Sequence, residues 1–312
     1  MFKSGSAERH PFSSLLLLLL LIFAGAFLFT IIGFAIGAAI YGLEPMIKMS
    51  SGSTENIQML KLMQIISSFG MFVLPGIWFS KLESDNWADY LNLKKFSWIL
   101  AGLTLLIMLG LAQFLEYVNQ LNKLMTLPGF LKDLESWMLL KEQQMELITK
   151  QLLIMPDISS FLVNMLMLAI IPALGEELTF RGCLQKIINR WTGNYHIAIW
   201  ITAIIFSSIH FQFYGFMPRM LLGALFGYLF VWSGSLWIPV IGHFLNNAAA
   251  VVTAYVYQQN GKSVDEMFNQ GSTDIPVMLI ATLVSIFLLR YFYTSAVKEA
   301  NFGIIHHGSR LD

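Results

Sequence analysis

Charge is what this sequence has least of. Asp, Glu, Lys and Arg make up 12% of its 312 residues, about half the share of an ordinary soluble domain. With 56% hydrophobic residues and a mean hydropathy of +0.64, this shortage excludes a water-soluble surface over most of the chain. Charge of one sign is also missing. Nineteen basic residues face nineteen acidic ones, so no basic field points to nucleic acid. Cysteine occurs once, at Cys183, which excludes an intrachain disulfide and a cysteine-based zinc cluster; a small buried apolar residue is the simplest reading of it. The chain has no His-Glu-x-x-His run, no internal repeat and no polar linker that would divide it. Residues 1–312 therefore read as a single membrane domain.

Long apolar runs are abundant. A bilayer is crossed by roughly 17–25 apolar residues in a helix, and eight runs qualify: 14–40, 61–80, 96–118, 158–180, 195–213, 218–234, 236–257 and 274–294. Lys3 and Arg9 ahead of Leu15 to Leu21 imitate a secretory signal. The apolar stretch runs on from Ser14 to Ile40, however, whereas a signal core is about 7–15 residues. It reads as a first transmembrane helix, with Gly25, Gly33 and Gly37 open to a close neighbour. Pro75-Gly76 predicts a kink in the second run, and Ser233-Gly234-Ser235 a tight turn before the seventh. Trp78, Trp98, Trp191, Trp232 and Trp237 fall near predicted ends, where amphipathic rings favour the interface. The expected fold is an all-α polytopic bundle of about eight transmembrane helices.

Basic residues cluster at Lys3 and Arg9, at Lys81, Lys94 and Lys95, at Lys186 and Arg190, and at Arg290, Lys298 and Arg310. With eight spans these share one side, and the positive-inside rule puts that side, with both termini, in the cytoplasm of a cell-membrane protein. Lys48, Lys61, Arg219 and Lys262 are assigned to loops on the other side. The connection 119–157 is extramembrane and amphipathic. Leu131, Leu134, Met138, Met145, Ile148 and Leu152 recur at helical spacing, with Lys141 filling the gap. It fits a surface helix that lies on the membrane or caps the bundle, either as plain packing or as a lid.

Charge also falls at the edge of an apolar helix, in Gly175-Glu176-Glu177-Leu178-Thr179-Phe180-Arg181, which follows the apolar run from Ile158 to Leu174. Ionisable groups at such a place are costly and mark a functional site by default, unless the helix has ended and the charges are wet. Glu177 and Arg181 are four apart and share a face. An unpaired arginine in dry surroundings is expensive, so this pair reads as structural. Glu176 lies about 100° further round the helix and is left for another partner. Phe206 and His210 follow, again four apart, and then His243 and Asn247 in the seventh run, with Asn246 on the neighbouring face. Each pair alone is ordinary interhelical hydrogen bonding. Together, three helices each present an ionisable group with a companion one turn away, and a desolvated carboxylate with imidazoles is a general-base constellation. Counted from the preceding loop, His210 lies ~22 Å in at 1.5 Å per residue. Glu176 matches that depth only if its helix continues through Leu184, Ile187, Ile188 and Trp191.

Glu-Glu-x-x-x-Arg, Phe-x-x-x-His and His-x-x-x-Asn, in that order on successive helices, resemble the CPBP family of CAAX prenyl endopeptidases and bacteriocin-processing or immunity proteins, also called Abi. The resemblance covers about 160–255, with 158–257 as the catalytic core, and Asp85 to Lys95 is similar to a short cytoplasmic segment of bacterial members. It implies an intramembrane endopeptidase acting on membrane-associated peptide or protein substrates, of a prenylated CAAX or leader-peptide kind. On this resemblance Glu176 and His210 activate water, His243 and Asn247 stabilise the oxyanion, Glu177 and Arg181 hold their helix, and Phe206 packs on His210. A zinc version would use Glu176, His210 and His243 as ligands with an open fourth position. Two other classes compete: a non-proteolytic scaffold or immunity protein of the same family, and a transporter relaying protons through buried Glu and His, against which stands the lack of a repeated half.

Overall fold

The computed structural model describes residues 9–50, 56–269 and 273–308; Lys3 and Arg310 of the basic clusters lie outside them. Among the described residues there is no strand. The main elements are α1 (Pro11–Tyr41), α2 (Ile57–Glu83), α3 (Trp98–Lys123), α4 (Lys132–Leu152), α5 (Ile158–Thr192), α6 (Tyr195–Ser208), α7 (Phe216–Ser233), α8 (Trp237–Gln259) and α9 (Ile275–Gly308). Seven of these helices are long and apolar enough to cross a membrane; the eighth apolar helix, α6, has 14 residues. The chain is a polytopic all-α membrane bundle, as its apolar runs predict. Its outer face carries large apolar side chains, among them Phe23, Phe27, Leu283 and Phe287, each about two-thirds exposed. A helix satisfies its own backbone, so such a face is stable against lipid.

The interior is built mainly from two of the four apolar clusters among the described residues. One joins α1, α2, α5 and α6 through Leu18, Phe79, Cys183, Ile187 and Phe206; the other joins α3, α7, α8 and α9 through Ile107, Phe226, Ile238 and Phe292. α6 and α7 form a hairpin between them. At one end of the bundle a carboxylate knots three helices: Glu83 bridges Arg9 at 3.4 Å and Arg190 at 3.0 Å, and accepts from the Ser14 hydroxyl. The neighbouring 85–95 segment docks on the turn before α8. Asn92, in the left-handed region at φ 57°, donates from Nδ2 to the Gly234 carbonyl and accepts from the Leu236 N–H. The Lys186 ammonium donates to Asn92 Oδ1 and to the Tyr90 carbonyl.

α5 is the pivot. It continues past Arg181 to Thr192, as the depth argument requires, and Glu176 sits near the middle of its 35 residues. It is not uniform: π-helical turns at Met165–Ile170 and Leu178–Leu184 flank the segment Ile171–Glu177. Pro172 accounts for the first turn. It has no N–H to give to the carbonyl four residues back, Leu168, and the Ile171 N–H reaches back to Leu166 instead. π-turns of this kind free backbone groups and gather at functional sites. α2 shows the same device at Phe69–Val73, just before Pro75, and its Phe72 carbonyl accepts from the Thr179 hydroxyl at 2.7 Å. The two irregular stretches lie back to back because Gly175 and Gly76 allow it. A Cβ at Gly175 would meet Phe72 Cβ at 2.9 Å, and one at Gly76 would meet Leu178 Cβ at 2.9 Å.

Three expectations need correction. The fifth run does not stay helical to 213: α6 stops at Ser208, and Phe211 takes a left-handed φ of 52°, a conformation that costs an aromatic residue about 1–2 kcal/mol. Lys61 is not a loop charge. It is buried within α2 and donates to the Ile154 carbonyl at 2.9 Å. Arg219 is not a loop charge either, since it lies in the first turn of α7. The amphipathic connection forms α4, and its position favours capping. Trp137 packs on Phe213, with centroids 5.4 Å apart, and Glu142 accepts from the Tyr214 N–H at 3.2 Å.

Candidate active site

The mid-bundle cavity has a volume of about 530 Å³, and Glu176, Phe206, His210, His243, Asn246 and Asn247 all line it. α4 forms one wall with Met145, Ile148, Thr149 and Leu152, so the surface helix roofs the site. Three helices and one helix end thus deliver the sequence-predicted residues to a single space, and the depth argument holds. Glu176 lies 16 residues before Thr192, and α6 spans 14 residues before the turn that carries His210, so each reaches roughly 21–24 Å from the α5–α6 turn.

Behind the cavity wall is a closed ionic chain. Arg181 Nη1 lies 2.8 Å from Glu177 Oε1, with both side chains fully buried. Arg181 Nη2 donates to the Gly223 carbonyl at 2.9 Å, and its guanidinium carbon stands 4.9 Å from the Phe206 ring centroid and 5.6 Å from that of Phe226. The same Glu177 oxygen also accepts from His243 Nδ1 at 2.8 Å. On its other side His243 Nε2 approaches Glu176 Oε2 at 3.7 Å, and its ring stacks on Phe226 at 5.4 Å. His243 is therefore held between two carboxylates, one structural and one on the cavity. The Glu177–Arg181 pairing matches the sequence reading. The Glu177–His243 bond, across 66 positions, does not follow from it, and it gives Glu177 a second task as the group that fixes the imidazole.

The hydrogen bonds also fix the roles of the ring nitrogens. A carbonyl only accepts, so His210 Nδ1, 2.8 Å from the Phe206 carbonyl, carries the proton in the neutral ring and leaves Nε2 as the basic nitrogen. The Phe206 ring packs edge-on against it at 5.2 Å. His243 Nδ1 is likewise a donor, to the Glu177 carboxylate. Asn247 Nδ2 donates to Leu168 at 3.0 Å, which is the carbonyl that Pro172 leaves without its helical partner, so the amide repairs the break in α5. Asn247 Oδ1 accepts from Asn246 Nδ2 at 3.1 Å, and the second Asn247 N–H remains to be used.

Sequence reasoning missed Arg219 and Gln212, which line the same cavity. Counted among the loop charges by sequence, Arg219 reaches the cavity from the first turn of α7. The proposed zinc ligands Glu176, His210 and His243 share the cavity, yet among the described residues no three His, Cys, Asp or Glu side chains come together as a metal-holding group.

A lipid-embedded helix bundle with a carboxylate–imidazole cavity at its centre is the class of protein that these features define. Comparison with known proteins places its core more closely: residues 158–249 match the family model described as type II CAAX prenyl endopeptidase Rce1-like. The match covers 92 of the 312 residues and agrees with the CPBP resemblance. The chain is also similar to an uncharacterized Bacillus subtilis (strain 168) protein, YpbD, with 29% identity over 89 residues, which is 27% of this chain and 42% of that relative's length. The match thus spans less than half of the relative. No solved structure gives a significant match.

Proposed function

We propose that the cavity is the active site of an intramembrane endopeptidase that hydrolyses a peptide bond of a membrane-associated substrate with a water activated by Glu176 and His210. The observation that carries this reading is the convergence of Glu176, His210, His243 and Asn247 on one cavity of about 530 Å³ in a bundle of largely apolar helices. Glu176 takes one proton from water as the water oxygen bonds to the scissile carbonyl carbon, and His210 Nε2 accepts a hydrogen bond from the remaining O–H and aims the attack. Asn247, with its remaining N–H, and His243, when Nε2 carries a proton, stabilise the oxyanion. The C–N bond then breaks as Glu176 returns its proton to the leaving amine. Glu177, anchored by Arg181, holds His243 in register. The fit to the Rce1-like family supports a peptidase, and a prenylated C-terminal peptide or a leader peptide is the proposed substrate kind. The end of the bundle with Arg9, Lys81, Lys94, Lys95, Lys186 and Arg190 is placed in the cytoplasm, in a cell membrane, by the positive-inside rule.

A peptide library offered in lipid to the wild type and to His210→Ala tests this. Cleavage by the wild type and a loss of about 10²–10⁴-fold in the variant are expected. Cleavage by both proteins, or by neither, would overturn it, and the second outcome would favour a non-proteolytic scaffold. A chelator titration of the same activity decides the metal question; the metal-free reading predicts no loss.

A further inference from the structure

Arg219 is the one charged group of the cavity that the proposed chemistry leaves unused. It lines the same cavity as Glu176 and His210, and its charge acts through space on Glu176, His210 and Glu142. Its hydrogen-bond partners are both neutral and both from one residue: Nη2 donates to Gln212 Oε1 at 2.8 Å, and Nη1 to the Gln212 carbonyl at 3.5 Å. Arg9, Arg181 and Arg190 each have a carboxylate within 4 Å. Among the described residues Arg219 has none.

A half-buried guanidinium in a membrane bundle with no carboxylate in contact, only the charges of Glu142 and Glu176 at a distance, is costly. Gln212 satisfies part of its hydrogen bonding and none of its charge. The fork also matches a carboxylate, which can accept two parallel N–H bonds, better than it matches any neutral group. Two neighbours sharpen the setting. Gln212 sits in the turn just after His210, so the residue that orients Arg219 is positioned by the same backbone that positions the base. Asn119 and Gln64 add neutral polar groups to the lining, which tolerate an anionic ligand without supplying a competing cation.

We propose that Arg219 forms an anion-reading subsite that selects substrates bearing a carboxylate close to the scissile bond. The inference rests on the peptidase reading for its choice of a peptide ligand. The carboxylate could be the free C-terminus of the peptide or an Asp or Glu side chain; both offer the same fork to the guanidinium.

The test is binding, kept apart from cleavage. Purified full-length Glu176→Gln protein in detergent micelles, alone and with Arg219→Gln added, is titrated calorimetrically with N-acetylated apolar tetrapeptides in matched pairs. One pair is a free acid and its C-terminal amide, and the other is an Asp-containing amide and its Asn counterpart. The expected result is a dissociation constant at least about tenfold lower for the carboxylate member, with the ratio falling close to one when Arg219 is replaced. The pair that shows the preference identifies the source of the carboxylate. Should Arg219→Gln melt early, Arg219→Lys keeps the charge and loses the fork, and an intermediate ratio is expected. An unchanged ratio in either variant, or no preference in the parent, overturns the proposal. Wild-type cleavage of the preferred peptide is scored separately. Discrimination without cleavage sinks the peptidase reading and spares the subsite; cleavage without discrimination does the reverse.

Discussion

Two carboxylates among the described residues each tie two basic side chains together, and they do different work. Glu83, at the bundle end, ties Arg9 of the N-terminal segment to Arg190 of α5, with Arg9 43% exposed. Glu177, in the middle, ties the fully buried Arg181 to His243, whose side chain is 6% exposed. At the end, water shares the cost of the charges and the knot fixes where helices meet. In the centre nothing shares it, so the chain must balance its own charge, and the imidazole held by that balance faces a cavity. The same local pattern is a fastening in one place and a positioning device in the other.

The comparison predicts a graded series. Arg181→Met should have the largest effect, because it leaves the Glu177 carboxylate buried with His243 as its sole partner. A loss of about 3–5 kcal/mol is expected, seen as a fall in the detergent melting temperature and in the yield of folded protein. A melting temperature equal to wild type would mean that the central chain is not structural. Asn247→Ala comes next: it strands the Leu168 carbonyl in α5, for about 1–3 kcal/mol, and removes a proposed oxyanion donor, so activity should fall further than stability accounts for. Glu83→Gln keeps shape and loses the charge of a carboxylate that is itself buried but whose partner Arg9 reaches solvent, and a smaller loss of about 1 kcal/mol is expected. A cost as large as that of Arg181→Met would erase the distinction between end and centre.

The smallest effect concerns the start of α5. The Ser160 N–H bound to the Asp157 carboxylate, at 2.7 Å, holds that group below the usual carboxylate range. A depressed folded-state value stabilises fully above the unfolded one, and the contribution disappears as pH falls through the folded value. The melting difference between wild type and Asp157→Ala should therefore be present at neutral pH and shrink in acid. A difference that grows in acid would contradict the capping account.

What the sequence made legible was local. Apolar runs marked eight helices, one of which proved shorter than its run, and a four-residue spacing paired Glu177 with Arg181. The need for equal depth extended α5 to Thr192. What stayed hidden depends on distant partners or on backbone irregularity. Nothing near Glu177 announces His243. Arg219 looked like a loop charge because charge is the usual sign of water, and only the cavity explains its place. The end of α6 before His210 was hidden by the apolar Ile209, Phe211 and Phe213, which read as more helix. One signal was available and unused: Pro172 strips the Leu168 carbonyl of its helical donor, and Asn247 is an amide able to replace it.

The central claim divides adjacent glutamates, Glu176 for chemistry and Glu177 for holding His243. Its most direct test measures peptide cleavage in lipid and detergent melting on Glu176→Gln and Glu177→Gln together. The account predicts that Glu176→Gln melts within a few degrees of wild type and cleaves at least about 10³-fold more slowly, whereas Glu177→Gln melts well below wild type. Near-normal cleavage by Glu176→Gln, or a Glu177→Gln protein as stable as the wild type, would contradict it.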